Sequence, residues 1–295
     1  MRAFEELTLT LFADRPRGIL YHYTTLTGLL GIVRSRSLWA SDIRYMNDSA
    51  ELKHAGDLIR QEVQQRITSG TAYADLLGQF VDWVMHRITN GHLLFAASFR
   101  SHGNLLSQWR GYSSHGKGVS IGFASDYILR CARRQAFQIG KCIYEPTKQR
   151  RLIGQVINAV EREAGRLLAG NEDHKQRSAV YLSVFQRLEV DLLRIAAILK
   201  HPSFREEQEW RIVSPVWDES RPFELQFREA NAMLVPYIAF DLLLNPDAPL
   251  QLEHLYLGPT SNINISMNSM SMFLAQNSIV PQQGIDYCQI PFRQR

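Results

Sequence analysis

Roughly from residue 124 to residue 200, the apolar residues of this chain recur mostly at helical spacing, and short strand-like segments lie on either side. Leu152, Val156, Val160, Ala164 and Leu167 form one stripe, and Val180, Val184, Leu188, Leu192, Ile195 and Leu199 form a second. Any fold of this chain has to carry that helical block between its strands. The reading that follows is one α+β domain over residues 1–295, with a mixed β-sheet core, flanking helices and a helical insertion at 124–200. No internal repeat or low-complexity tract interrupts it. With 295 residues, 45% of them apolar, the chain has material for a sizeable core.

Before the insertion, residues 18–24, 37–41, 93–99 and 118–123 read as strands. Thr24 or Thr25 is placed to cap a short helix running to Val33, and Leu52 to Ile67 and Leu77 to Ile88 repeat at three- and four-residue spacing as amphipathic helices. The Gly- and Ser-rich stretch containing Gln108-Trp-Arg-Gly-Tyr112 reads as a loop. After the insertion, strands are expected at 209–214, 223–227, 235–240, 253–257 and near 287–291, with a helix near 266–275.

Several function classes lose their usual warrant. No apolar run approaches the 18 or so residues of a membrane span, and the first 17 residues carry Glu5, Glu6 and Asp14 where a secretory leader would be basic and then apolar. Three cysteines without C-x-x-C spacing argue against a disulfide framework or a cysteine zinc site, and a reducing cytoplasm is the expectation. The nine dispersed histidines make no helical metal pair, so no metal is expected. The signatures of dinucleotide-binding Rossmann folds, P-loops, zincins and α/β-hydrolases are also missing. The 33 basic residues are 27 Arg and 6 Lys, which favours forked contacts with phosphate or carboxylate but is also a habit of high-GC genomes.

Three polar clusters lie beside the expected strands. In Tyr21-His-Tyr-Thr24, alternation puts Tyr21 and Tyr23 on one face and His22 and Thr24 on the other, so His22 is either a hydrogen-bonded core histidine or a functional one. Ser98-Phe-Arg100, Gln108-Trp-Arg-Gly-Tyr112 and His115-Gly-Lys-Gly118 interleave rings with cations and turns, which suits either a flat ring beside a phosphate or a packed aromatic loop. In Glu207-Gln-Glu-Trp-Arg211, a strand puts Glu207, Glu209 and Arg211 on one face, as a paired-carboxylate site or as an exposed edge strand with a surface ion pair.

Taken in order, Tyr21-His-Tyr-Thr, Gly28-Leu-Leu-Gly-Ile, Leu38-Trp-Ala-Ser41, Asn47-Asp-Ser-Ala-Glu51, Gln108-Trp-Arg-Gly-Tyr112, Gly116 to Phe123, Glu207-Gln-Glu-Trp-Arg211 and Leu257-Gly-Pro resemble a large bacterial and phage family of unknown function, over about residues 18 to 260. That family in turn resembles the ADP-ribosyltransferase superfamily. The resemblance implies a transferase-like sheet, NAD as co-substrate, and a role as an intracellular toxin or anti-phage defence effector. It implies that His22, supported by Thr24 and with Tyr23 beside it, binds the adenosine-side ribose. Ser98, Trp109 and Tyr112 would border the nicotinamide or pyrophosphate, Arg100, Lys117 and Arg211 would meet phosphate, with Arg211 equally suited to be a structural partner of Glu207 or Glu209, and Ser41 and Asn47 would complete the cofactor site. Glu209 would hold the nicotinamide-ribose 2′-hydroxyl, and Glu207 would complete a Glu-x-Glu pair. The central aromatic or Ser-Thr-Ser motif has no unique position in this sequence.

Cleavage of the nicotinamide–ribose bond develops positive charge on the sugar, so a carboxylate fixed near it stabilises mainly the transition state. The acceptor is expected to be a nucleic acid, slightly favoured over protein, with an antitoxin partner allowed and no membrane contact. The alternative is a non-catalytic module that binds a nucleotide, ADP-ribose or RNA. A weaker one is an RNA-processing enzyme that uses the basic residues between Arg130 and Arg151.

Overall fold

The first block folds into the expected strands, which lie at the centre of a sheet. The computed structural model describes residues 2–46, 50–91, 93–112, 118–169, 174–216, 224–230 and 233–289. A helix α1 (Arg2–Leu11) precedes β1 (Ile19–Thr25), α2 (Leu26–Ser35) and β2 (Ser37–Asp42). The helices α3 (Ala50–Thr68) and α4 (Ala74–Asn90) lead to β3 (Phe95–Arg100), α5 (Leu106–Tyr112) and β4 (Gly118–Ala124). Then come α6 (Ser125–Arg134), β5 (Gln138–Lys141), α7 (Pro146–Leu168) and α8 (His174–Ile198). A 3₁₀ turn (Pro202–Glu207) enters β6 (Glu209–Val213), followed by β7 (Gln226–Ala230), β8 (Met233–Asp241), β9 (His254–Leu257), α9 (Ile263–Gln276) and β10 (Ile285–Tyr287).

The strands order as β10-β9-β4-β1-β3-β2-β8-β7, with β6 also on β3 and β5 on β6. The β9–β10 pair is parallel and the others antiparallel, so the architecture is α+β with a mixed sheet. β3 is the junction. One edge pairs with β6 from Ala96 to Arg100. The opposite edge pairs with β2 only at Phe95 and Ala96, and with β1 only at Arg100. Among the described residues, Ala97, Ser98 and Phe99 therefore have no strand partner on that edge, and the sheet is split there.

Helices cover both faces. Apolar stripes of α3, α4, α7 and α8, including Ile59, Phe80, Val156 and Val184, bury against one another and against Ala96 and Val213. On the other face, residues of α2, α6 and α9 close over Leu20, Phe99, Ile121 and Ile212. At the start of α2, the Thr25 hydroxyl accepts from the Gly28 amide at 3.0 Å, as its cap position demands.

The structure corrects five local expectations. Gln108 to Tyr112 lies on the short helix α5, because Trp109 buries its ring against Tyr23 and donates its indole N–H to Asn104. The 124–200 stretch contains β5, whose four residues include one fully apolar side chain and so carry no legible alternation. β6 is buried between β3 and β5, so it is no exposed edge. The strand expected at 223–227 lies at Gln226–Ala230, with residue 223 outside the described residues, and the last strand ends at Tyr287.

Glycine at 122 is a packing requirement of this centre. A Cβ there would lie 2.8 Å from the Tyr21 ring, 2.9 Å from Ile19 and 3.1 Å from His254, with strands paired on both sides. We expect Gly122→Ala to cost about 1–3 kcal/mol through overpacking, read as a lower urea midpoint with unchanged slope.

Candidate functional site

The split in the sheet opens into a cleft of about 410 Å³, of the size that holds small ligands. β1 supplies Tyr21 to Thr25, α2 supplies Gly28 and Gly31, β2 supplies Ser37, Trp39 and Ser41, and β3 supplies Ala96 to Ser98 and Arg100. Gln108 of α5 and Arg228 of β7 complete the polar wall. No acidic side chain lines it among the described residues.

His22 spans the split. Its Nδ1 lies 3.0 Å from the Ser98 carbonyl oxygen, which only accepts, so Nδ1 carries the proton. Burial lowers the His22 pKa, against the raising effect of that hydrogen bond, and keeps the ring neutral. Nε2 is then an acceptor. Tyr23 donates to the His102 carbonyl at 2.8 Å and accepts from the Leu105 amide at 2.9 Å, which ties the entry of α5 to β1. Burial also raises its pKa, so it stays a phenol.

Behind Ser98 and Arg100 lies a buried charge cluster. Glu209 is 0% exposed. It accepts from the Ser98 hydroxyl, from Arg211 Nε at 2.7 Å and from Lys200 Nζ at 2.5 Å, with Arg100 Nη1 at 3.4 Å. Glu207 accepts from Arg100 Nη2 at 2.6 Å and from Lys200 Nζ at 2.7 Å. Burial alone would raise the Glu209 pKa, but Arg211, Arg100 and Lys200 outweigh it and hold the carboxyl well below its usual range. Arg211 reaches further, donating from Nη1 to the Ala197 carbonyl at 2.7 Å near the end of α8. Among the described residues, three cations thus face two carboxylates in this cluster, and Arg100 is the member that lines the cleft.

The sequence-derived site residues fall into three groups. His22, Tyr23, Thr24, Ser41, Ser98 and Arg100 line one cleft. Glu207, Glu209, Arg211 and Trp109 do not: the first three are buried in the charge cluster, and Trp109, 1% exposed, is part of the small core with Tyr21 and Tyr23. Asn47 and Lys117, and the side chain of Tyr112, lie outside the described residues. Sequence reasoning missed Lys200, whose signal was a lone lysine, one of six, closing the apolar run Ile195 to Leu199. It also missed Arg228, which no local pattern marks, and left Trp39 and Gln108, both within quoted motifs, without a role. Gln108 is 2% exposed, and among the described residues its Oε1 has no hydrogen-bond partner. Among the described residues, no group of three or more His, Cys, Asp or Glu side chains is arranged to hold a metal ion, and no helix is long and apolar enough to cross a membrane.

Residues 108–212, from α5 to β6, match the model of a family described as a protein of unknown function, DUF2971. That stretch holds Gln108, Lys200, Glu207, Glu209 and Arg211 and stops short of His22, Ser98 and Arg100. Comparison with curated proteins and with solved structures finds no match.

The cluster's charge count predicts an order of stabilities. Glu209→Gln leaves three cations with one carboxylate and should cost about 3–5 kcal/mol, whereas Lys200→Met leaves two of each and should cost less. Because the folded Glu209 pKa is depressed, its contribution is present above the unfolded carboxylate pKa and is lost as pH falls through the folded value. Urea midpoints followed downward from pH 5 should therefore fall more steeply for the wild type than for Glu209→Gln.

Proposed function

We propose that the part of the cleft walled by β1, β3 and α5 binds NAD and that the chain is an ADP-ribosyltransferase. The observation that carries this reading is that His22 on β1 and Ser98 on β3 line one split in the sheet, with Glu209 on β6 buried behind it and joined to the cleft by the Ser98 hydroxyl. Arg100, backed by a cluster in which cations outnumber carboxylates, suits the pyrophosphate. His22 Nε2 suits a ribose hydroxyl as donor. The Gln108 Oε1 suits the N–H of a carboxamide, which would satisfy a buried acceptor.

The reaction breaks the C1′–N bond, the electron pair leaving with nicotinamide, while an acceptor lone pair forms the new bond at C1′ and the acceptor loses a proton. Because Ser98 gives its hydroxyl proton to Glu209, its lone pairs are left for the ribose, polarised by the carboxylate behind them. Glu209 in this reading acts through Ser98 and needs no direct contact with the sugar.

One observation favours a second reading, a nucleotide-binding module without turnover: Glu207 and Glu209 lie outside the cleft lining and are matched by three cations. Incubation of the purified chain with NAD labelled in the nicotinamide, in the presence of protein and nucleic-acid acceptors, separates the two. Transferase activity releases nicotinamide, and Ser98→Ala, which leaves the ion pairs intact, should slow release roughly 10- to 100-fold with NAD affinity little changed. Tight binding by calorimetry with no release from the wild type would leave the binding module; no NAD binding at all would sink both.

A further inference from the structure

Beyond the split, the cleft has a second wall of different chemistry. Cross-strand pairing sets Ser41 opposite Tyr237, Gln226 opposite Tyr237 and Arg228 opposite Val235, so Trp39, Ser41, Tyr237 and Arg228 share one face of β2, β8 and β7. Trp39 lines the cleft yet is 48% exposed. Its ring rests on Tyr237, centroids 4.8 Å apart and planes inclined by 34°, which fixes the indole as a platform. Arg228 donates from Nη2 to the Ser41 hydroxyl at 3.2 Å, and no carboxylate lies within ion-pair distance of it among the described residues. Burial pushes its pKa down, as expected of a half-buried cation without a counter-charge. This wall adjoins the proposed reaction site, because Ser41 pairs with Ala96, two residues along β3 from Ser98.

We propose that Trp39 and Arg228 form a subsite for one nucleotide of a single-stranded nucleic acid, the base against the indole and its phosphate on the guanidinium. A partly exposed indole offers a π-face that any base can stack on, and a planar guanidinium already aimed by Ser41 matches phosphate oxygens. An acidic peptide would use the guanidinium but leave the indole bare. A duplex would bury its bases, so an unpaired strand or end is the fitting form. That this nucleotide belongs to the ADP-ribose acceptor rests on the transferase reading; its binding does not.

The test measures the affinity of the full chain for fluorescent ten-nucleotide single strands of DNA and RNA, with mononucleotides and NAD titrated alongside. Trp39→Ala should weaken oligonucleotide binding roughly 5- to 100-fold and Trp39→Phe much less. Arg228→Gln should make the slope of log K against log salt shallower by about 0.7. NAD affinity should stay within about twofold in all three variants. Loss of NAD affinity in Trp39→Ala would make this wall part of the NAD site and overturn the subsite. So would binding of mononucleotides as tightly as strands, or a wild type that modifies only protein and binds no strand. Strand binding that depends on Trp39, in a chain that does not bind NAD, would uphold the subsite and remove the transferase reading.

Discussion

Two carboxylates and three cations buried together between β3, β6 and the end of α8 set the terms for the rest of this molecule. Glu209 sits on the inner face of β6, Arg100 and Ser98 on the same face of β3, and Lys200 arrives from the residue pair that follows α8. Such charges are tolerated in the interior only while each finds partners at close range. The chain supplies them from positions 98 to 211, so the cluster can form only when strands and helices that are remote in sequence have docked. Main-chain bonds lock the arrangement: Lys200 donates its amide to Ile143, and Gln149 donates its side-chain amide to the Lys200 carbonyl.

The split in the sheet follows from how β3 is shared. A strand has two edges, and β3 gives one wholly to β6. The other is divided between β2 at one end and β1 at the other, which leaves the carbonyl of Ser98 to be satisfied by a side chain, His22. A buried carbonyl without a strand partner needs such a substitute. The cleft and its histidine are therefore one feature: the same gap that opens the cleft requires the ring that lines it.

The strands and amphipathic helices were largely legible, because burial on one face imposes a period of two or of 3.6 and both were written plainly in residues 19–25, 52–67 and 180–199. α5 and β5 were not. Each is short, and each is held by contacts made elsewhere, Trp109 on Tyr23 in one case and pairing with β6 in the other. The site was legible in part. His22, Ser98 and Arg100 stood out as polar residues in strands. Glu207, Glu209 and Arg211 stood out equally, yet the two carboxylates meet Lys200 and Arg211 meets Glu209 in place of the cleft, since alternation fixes the face of a strand and says nothing of what covers that face.

The sequence by itself determined an α+β chain, the identity of the polar residues set into its strands and the surplus of arginine over lysine, because these depend on composition and local period. Which carboxylate meets which cation, which strand edge stays open, and which aromatic ring lines the cleft were decided only by the tertiary structure. Trp39 and Trp109 make the point, one half-exposed on the cleft wall and one sealed under α5. Their roles come from which remote strands and helices pack beside them, and no window of sequence contains that.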